Sequence, residues 1–338
     1  MKKYNKKLLS ALGALLISFN VYGGTNAGQG VDFLRSGWVG AENIAMGMAV
    51  EAIVSDVYAL YWNPAGLVEL KGKNSLSKKD IQDRARKGNL GGIKENDLLN
   101  FSEDDKKKKR VFQLAMSGSI LDADRQAAFI GTAFSVGPGI MAIGIYSLFS
   151  LNIQGYDTGG SPTSMYHYVS GAPYFSYAMS FETVNIGVTL KGIYQTVGDV
   201  TYLGAAVDAG VQLSLFTFVK IGLVVQDVGA GLVPVAGSAE LKYNLGYPVV
   251  RASVALVSEE ENTIAVSIVK NLDQDGIDFH VGIKYNLHKT TAVCLGLTNE
   301  YFTTGISFTF GFFSISYAFM IDRINYGFNN TVSLTMIF

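Results

Sequence analysis

The sequence has little charge and almost no cysteine, and each shortage excludes a class of protein. Only 16% of the 338 residues are charged and 49% are apolar, which excludes a disordered chain. The formal net charge of −1 excludes a nucleic-acid binder with a broad basic surface. The single cysteine, Cys294, excludes both a disulfide framework and a cysteine-rich metal site.

The charged residues are concentrated in one short part of the chain. Residues 71–110 contain 13 basic and 7 acidic side chains, whereas residues 111–338 contain only 9 basic and 16 acidic ones. A water-soluble domain of 228 residues with so few charges could not cover its surface. We therefore expect residues 111–338 to lie in a membrane or against a large permanent interface. Residues 71–110 are expected to be a flexible, solvated insert; the alternative is a contact with anionic lipid headgroups.

The N-terminus has the pattern of an export signal. Four lysines between positions 2 and 7 precede an apolar stretch, Leu8–Phe19, which is too short to span a bilayer comfortably. The small residue Gly23 follows, so we predict a signal peptide over residues 1–23 that is cleaved after Gly23; Ala27 is a second candidate cleavage site. An uncleaved N-terminal anchor is the alternative.

Small or polar residues alternate with bulky apolar ones along most of residues 111–338. The pattern is regular from Gly305 to Phe310 and recurs in residues 207–215, 279–287 and 331–338. A period of two is typical of a β-strand and does not fit a helix. With so few charges available, the apolar face is expected to contact lipid and the small, polar face to line a lumen.

This alternation predicts an all-β fold, namely a transmembrane antiparallel β-barrel of about fourteen strands. Its connections are alternately short and long, as in outer-membrane barrels, and the barrel must close because unpaired backbone groups in hydrocarbon cost several kcal/mol each. The predicted strands cover residues 111–120, 126–136, 139–150, 165–181, 184–196, 202–214, 217–228, 250–258, 262–271, 277–287, 290–299, 303–310, 312–321 and 328–338.

Residues 24–70 do not have the strand pattern and are predicted to form a compact plug in the lumen, since a barrel of this size leaves an interior to be filled. Near the end of this segment, Pro64 is expected to hold Asn63 in an extended conformation. Gly66 is expected to allow a tight reversal of the chain.

The same segment contains a pattern that resembles a known family. The residues concerned are Gly40-Ala41, Met46-Gly47, Ala49, Ala52, Asp56 and Trp62-Asn63-Pro64-Ala65-Gly66-Leu67. They are similar to the N-terminal signature of the FadL-like outer-membrane proteins, especially the PorV/PorQ branch and the related UPF0164 proteins. The resemblance implies that residues 24–70 are the hatch inside a fourteen-stranded barrel, with Asn63, Pro64, Ala65 and Gly66 as the hatch motif.

The resemblance also implies a function and a location, the bacterial outer membrane. The family moves hydrophobic small molecules, typically long-chain fatty acids, across that membrane, whereas the PorV branch implies an accessory barrel that helps a secretion system to release proteins. The expected partners are outer-membrane lipids, a hydrophobic ligand such as a fatty acid and, in the alternative, secretion-system components. The aromatic residue Phe338 resembles the signal that the barrel-assembly machinery reads.

Titratable residues on the predicted lumen face are candidates for ligand contacts. They are Lys191, Asp208, Lys220, Arg251, His280 and Lys284. These side chains either pair with one another and with the plug, or bind a fatty-acid carboxylate, which an arginine would do with two parallel hydrogen bonds.

The sequence gives little indication of an enzyme. His167, His280 and His288 lack metal-ligand spacing, and neither a Gly-x-Ser-x-Gly elbow nor a phosphate-binding loop is present. We therefore predict no catalytic activity, no metal and no cofactor. A hydrolase assembled from serine and histidine on separate strands is the alternative.

Overall fold

The computed structural model describes residues 32–72, 112–122, 124–181, 183–216, 218–236, 244–245, 247–258, 260–272, 275–322 and 327–338. The predicted signal peptide, residues 1–23, lies outside the described residues. So do residues 24–31 of the predicted plug and all of the charged insert except its first two residues.

The described residues from 112 onwards form one antiparallel sheet. Its strands are β1 (Phe112–Ile120), β2 (Gln126–Val136), β3 (Gly139–Tyr156), β4 (Pro162–Phe181), β5 (Val184–Val197), β6 (Val200–Phe216), β7 (Val219–Ala236), β8 (Asn244–Leu245), β9 (Val249–Val257), β10 (Thr263–Asn271), β11 (Asp278–His288), β12 (Thr291–Leu297), β13 (Tyr301–Phe310), β14 (Phe313–Asp322) and β15 (Phe328–Ile337).

Neighbouring strands pair in chain order until the sheet closes on itself. The first strand, β1, pairs with the last, β15, and β7 pairs with both β6 and β9, while the two-residue β8 is attached only to β7. The predicted transmembrane antiparallel barrel of fourteen strands is confirmed, and closure leaves none of these fourteen with a free edge. Among the described residues, no helix has the length and apolar character needed to cross a membrane.

The two faces of the barrel wall differ as the alternation predicts. In β6, Asp208 and Gly210 are buried, whereas Val207 and Ala209, which alternate with them, are exposed. Large apolar side chains cover the outer surface of the other strands in the same way, for example Leu190, Leu223 and Phe302. Such a surface is suited to hydrocarbon and not to water.

The strands β3, β4 and β7 continue furthest beyond their predicted ends. β3 extends to Tyr156 and β4 begins at Pro162, so much of the predicted loop 151–164 is a paired hairpin, and β7 extends to Ala236 into the predicted loop 229–249. The alternation fades in these parts, but backbone pairing does not depend on side-chain polarity. The turn between β3 and β4 is stabilised by Asp157 Oδ1, which accepts hydrogen bonds from the Gly159 and Ser161 amides.

The described part of the N-terminal region, residues 32–72, contains short helices instead of strands. They span Asp32–Arg35, Ala41–Ala45, Ala59–Trp62, Pro64–Val68 and Glu69–Gly72, of which the first and fourth are 3-10 helices. Glycines with positive φ interrupt them at Gly37, Gly40 and Gly47. None is long enough to be stable alone, so their conformation depends on packing against the barrel wall.

Candidate functional site

Residues 33–70, called the internal segment below, pack against the inward face of the barrel on several sides. The Ala41 amide donates to Ser333 Oγ in β15 at 3.1 Å, and the Val57 amide donates to Gln113 Oε1 in β1 at 2.8 Å. On the far side, Asn63 Nδ2 donates to the Val211 carbonyl of β6 at 3.2 Å. Contacts with strands so far apart around the cylinder mean that the segment lies in the lumen.

Asn63 has an extended backbone, with φ −162° and ψ 106°, as Pro64 after it requires. Its side-chain Nδ2 also donates to the Glu51 carbonyl at 2.8 Å, and its Oδ1 accepts from the Ala65 amide at 3.2 Å. The side chain therefore caps the 3-10 helix that begins at Pro64 and ties it to the wall.

Gly66 has a different role from the predicted one. It lies within the 3-10 helix of Pro64–Val68 and does not adopt a positive φ, so it does not reverse the chain. A Cβ at this position would come within 2.2 Å of the Val54 carbonyl oxygen. Glycine is needed here because two parts of the internal segment approach each other closely.

The barrel wall has glycines where the internal segment touches it. A Cβ at Gly187 would meet the Pro64 carbonyl carbon at 2.4 Å, and one at Gly222 would meet that of Glu51 at 2.3 Å. On the other side of the barrel, a Cβ at Gly296 would lie 2.0 Å from the Gly47 amide nitrogen. The segment thus approaches the wall backbone directly and leaves no space for side chains at these points.

Lys191 and Asp208, two of the predicted lumen residues, lie together in a buried ion cluster. Lys191 Nζ is 2.7 Å from Asp208 Oδ2 and 2.7 Å from Asp227 Oδ1, and it lies over the Tyr174 ring. Arg35 of the internal segment places Nε 3.8 Å from Asp227 Oδ2. Two cations and two carboxylates therefore balance each other between the wall and the segment.

Arg251, another of the predicted lumen residues, faces Glu51 of the internal segment. Arg251 Nη1 is 3.4 Å from Glu51 Oε1, and its Nε donates to Gln226 Oε1 at 2.8 Å. The other Glu51 oxygen accepts a hydrogen bond from Ser267 Oγ in β10. The guanidinium carbon also lies 5.5 Å from the Trp62 ring centre. Both charges are buried, so each depends on the other for compensation.

Lys284 and Lys220 each meet a carboxylate of the internal segment. Lys284 Nζ donates to Glu42 Oε1 at 2.6 Å, and Ser307 Oγ donates to Glu42 Oε2 at 2.6 Å. Lys220 Nζ is 3.7 Å from Glu69 Oε2. Both pairs are part-exposed, unlike the Glu51–Arg251 pair.

His280, the last of the predicted residues, is buried on the inner face of β11, and its Nδ1 has no hydrogen-bond partner among the described residues. The structure thus brings all six residues to the inner face, but in separate contacts with the internal segment or with each other. Sequence reasoning did not identify the acidic partners, Glu42, Glu51 and Glu69. Their signal was present, because an apolar plug that contains carboxylates needs cations opposite them.

Aromatic rings fill the lumen beside the Lys191 cluster. The Tyr61 ring packs edge-on against Tyr146 at 5.5 Å and Tyr174 at 6.4 Å between ring centres. Tyr61 Oη accepts a hydrogen bond from the Gly37 amide at 2.7 Å, and burial raises the pKa of Tyr61 to about 12. Tyr174 Oη is buried and has no hydrogen-bond partner among the described residues.

The chemistry of this interior is that of packing and charge pairing. In the described part of the chain, no group of three His, Cys, Asp or Glu side chains is arranged to hold a metal ion. Every carboxylate of the internal segment named above is matched by a wall cation. Such an arrangement can hold a segment in place and release it without breaking a covalent bond.

The fold is similar to that of solved hydrocarbon channels. The CymD monoaromatic hydrocarbon channel superposes with a TM-score of 0.60 at 12% identity, covering 89% of this chain and 97% of that one. The toluene transporter TbuX of Ralstonia pickettii gives 0.57 at 13% identity, covering 88% and 97%. A FadL homologue of Pseudomonas aeruginosa gives 0.52 at 8% identity, covering 89% and 98%.

These similarities define a FadL-like fold. No protein-family model matches the chain, and no curated protein matches it. Identities of 8–13% indicate a shared fold and not a shared substrate. The PorV/PorQ branch stays a prediction that rests on the N-terminal sequence pattern.

Proposed function

We propose that the protein is an outer-membrane channel for hydrophobic small molecules such as long-chain fatty acids, with the internal segment as its movable hatch. The supporting observation is that a closed, lipid-facing barrel contains a segment attached through ion pairs and hydrogen bonds. The names of the similar structures, a monoaromatic hydrocarbon channel and a toluene transporter, agree with a hydrophobic substrate.

The hatch must shift for a substrate to pass, because its backbone touches the wall at Gly187, Gly222 and Gly296. The Glu42–Lys284 pair, like the Glu69–Lys220 pair, is better suited to release first than the Glu51–Arg251 pair. It is part-exposed, so water can solvate the two charges as they separate, whereas the buried Glu51–Arg251 pair cannot be solvated in the same way.

The experiment is uptake of a labelled long-chain fatty acid by Gram-negative cells that lack their own transporter. We expect the wild-type protein to raise uptake above that of cells with an empty vector, while a hydrophilic sugar of similar mass stays excluded. Uptake equal to the empty-vector rate, with the barrel present in the membrane, contradicts the proposed function.

A charge exchange tests the hatch. Lys284→Glu should repel Glu42, displace the hatch and admit the hydrophilic sugar, and the double variant Glu42→Lys with Lys284→Glu should restore exclusion. If both variants exclude the sugar as the wild type does, residues 33–70 are not a hatch held by this pair.

The PorV-like alternative, release of secreted proteins at the cell surface, rests on the resemblance of residues 40–67 alone. It predicts that secreted proteins with a shared sorting domain co-purify with the barrel. A role of Phe338 in recognition by the assembly machinery rests on a separate resemblance, that of this aromatic residue to the signal that the machinery reads. The Phe338 ring is exposed, and its centre lies 5.8 Å from that of Phe112.

A further inference from the structure

The outer wall of the barrel has a groove over strands β11 to β14. It has a volume of about 400 Å³. Its walls are apolar and include Leu295, Leu297, Phe302, Phe319 and Ile321, with Thr304 among them. The lining also includes Gly296 and Thr303, whose side-chain positions face the lumen, so the groove reaches down to the backbone of the wall.

A short side chain among long ones creates this groove. Thr304 points outward and pairs directly with Leu295 on one side and Phe319 on the other. Its hydroxyl donates to the Cys294 carbonyl at 3.3 Å, which satisfies its polar group within the wall. The floor of the groove therefore offers no unpaired hydroxyl to a ligand, although Thr304 forms it.

The groove lies at hydrocarbon depth. Thr304 is the fourth residue of β13, so it lies about 10 Å from the strand end. A strand of ten residues is the length that crosses the bilayer core. The surrounding surface, with Leu295 and Phe302 exposed, is part of the lipid-facing wall.

We propose that this groove binds one acyl chain of a phospholipid from the surrounding membrane. No water is available at this depth, and an unfilled apolar groove would lose the dispersion contacts that its lining could make. Association within a bilayer depends on close packing and not on the hydrophobic effect, so a concave site favours a flexible chain over the flat wall elsewhere. This inference requires only the transmembrane barrel and does not rest on the proposed transport function.

The strand that forms the floor also holds the internal segment. Thr303, next to Thr304, donates from Oγ1 to the Ala45 carbonyl at 3.0 Å and accepts from the Gly47 amide at 3.2 Å. Only the backbone of β12 and β13 separates the groove from the lumen at this point. A lipid chain in the groove would thus support the wall against which the internal segment packs.

The test is photochemical labelling in vesicles that contain a phosphatidylethanolamine with a diazirine on one acyl chain. After irradiation and digestion, we expect the label to be enriched on residues 295–304 relative to the other lipid-facing strands. Even labelling around the barrel would overturn the proposal. A photoreactive free fatty acid gives a second test. If it labels the groove and excess phospholipid does not reduce that labelling, the groove takes free fatty acid and the proposal is overturned.

Two substitutions at one position separate binding from folding. Thr304→Phe fills the groove and should abolish the enrichment, whereas Thr304→Val keeps the volume and should retain it. Val254→Phe, on the lipid-facing surface of β9, is the matched control and should leave the labelling unchanged. Enrichment that persists in a correctly folded Thr304→Phe barrel, judged by its heat-dependent gel mobility, would also overturn the proposal.

Discussion

Gly210 of β6 lies so close to Asn63 that a Cβ at position 210 would come within 2.0 Å of the Asn63 Oδ1 atom. Gly210 pairs across the sheet with Gly187, against which Pro64 packs, so two adjacent wall glycines face the Asn63-Pro64 sequence. The Asn63-Pro64 sequence therefore occupies a site where the barrel wall has no side chains.

Gly210→Ala should displace Asn63 and weaken its hydrogen bonds to Glu51 and Val211. We expect a loss of about 1–3 kcal/mol, typical of overpacking, and a higher ion conductance in planar bilayers because the internal segment shifts. Gly118→Ala is the control, since a Cβ at Gly118 has no atom within 4 Å among the described residues. Equal conductance of the two variants would show that the contact at Gly210 does not hold the segment in place.

Glu51→Gln should destabilise the protein strongly. It leaves the Arg251 guanidinium buried without its counter-charge, which costs about 3–5 kcal/mol when one partner of a buried pair is removed. Urea unfolding in vesicles, followed by gel mobility, measures this loss. The matched variant Glu69→Gln removes a part-exposed partner of Lys220 and should cost at most about 1 kcal/mol. A Glu51→Gln loss no larger than the Glu69→Gln loss would contradict this account.

The strands could be predicted from the sequence because their signal is local. Each lipid-facing strand repeats its alternation over adjacent residues, so the count of fourteen needs no knowledge of the pairing. The added length of β3 and β4 could not be predicted in this way. Beyond position 150 those strands are held by backbone pairing and by turn contacts of Asp157, which leave no alternation to detect.

The sequence indicates that carboxylates of the plug need cations opposite them, but not which carboxylate meets which cation, because the partners are distant in sequence. Lys284 and Glu42 are separated by 242 positions, and nothing local indicates that they meet. The inward orientation of Asp227 could not be predicted either, but for a different reason. It follows the inward-facing Gln226, and a simple alternation would place it outside; its φ of 60° breaks the alternation, so both residues are buried.

Tyr174→Phe should leave stability unchanged or raise it slightly. Its hydroxyl is buried without a partner among the described residues, so the native state already bears the cost of desolvating it. Tyr61→Phe is the contrasting variant, because it removes the acceptor of the Gly37 amide and should cost about 1–3 kcal/mol. Urea unfolding of both variants checks this difference. A clear loss in Tyr174→Phe would mean that the hydroxyl has a partner, such as water or a ligand, in the membrane-bound protein.

Leu223→Arg tests the assignment of the outer face to lipid. Leu223 is 46% exposed on β7 between the inward-facing Gly222 and Val224, and an arginine there would have to enter hydrocarbon. Near the middle of a bilayer this costs about 2–4 kcal/mol, which urea unfolding in vesicles can measure. Leu223→Ala separates the effect of charge from the loss of side-chain volume. In detergent micelles, which deform around a charge, the arginine variant should lose less stability than in vesicles; an arginine tolerated equally in both would mean that this face does not contact a bilayer.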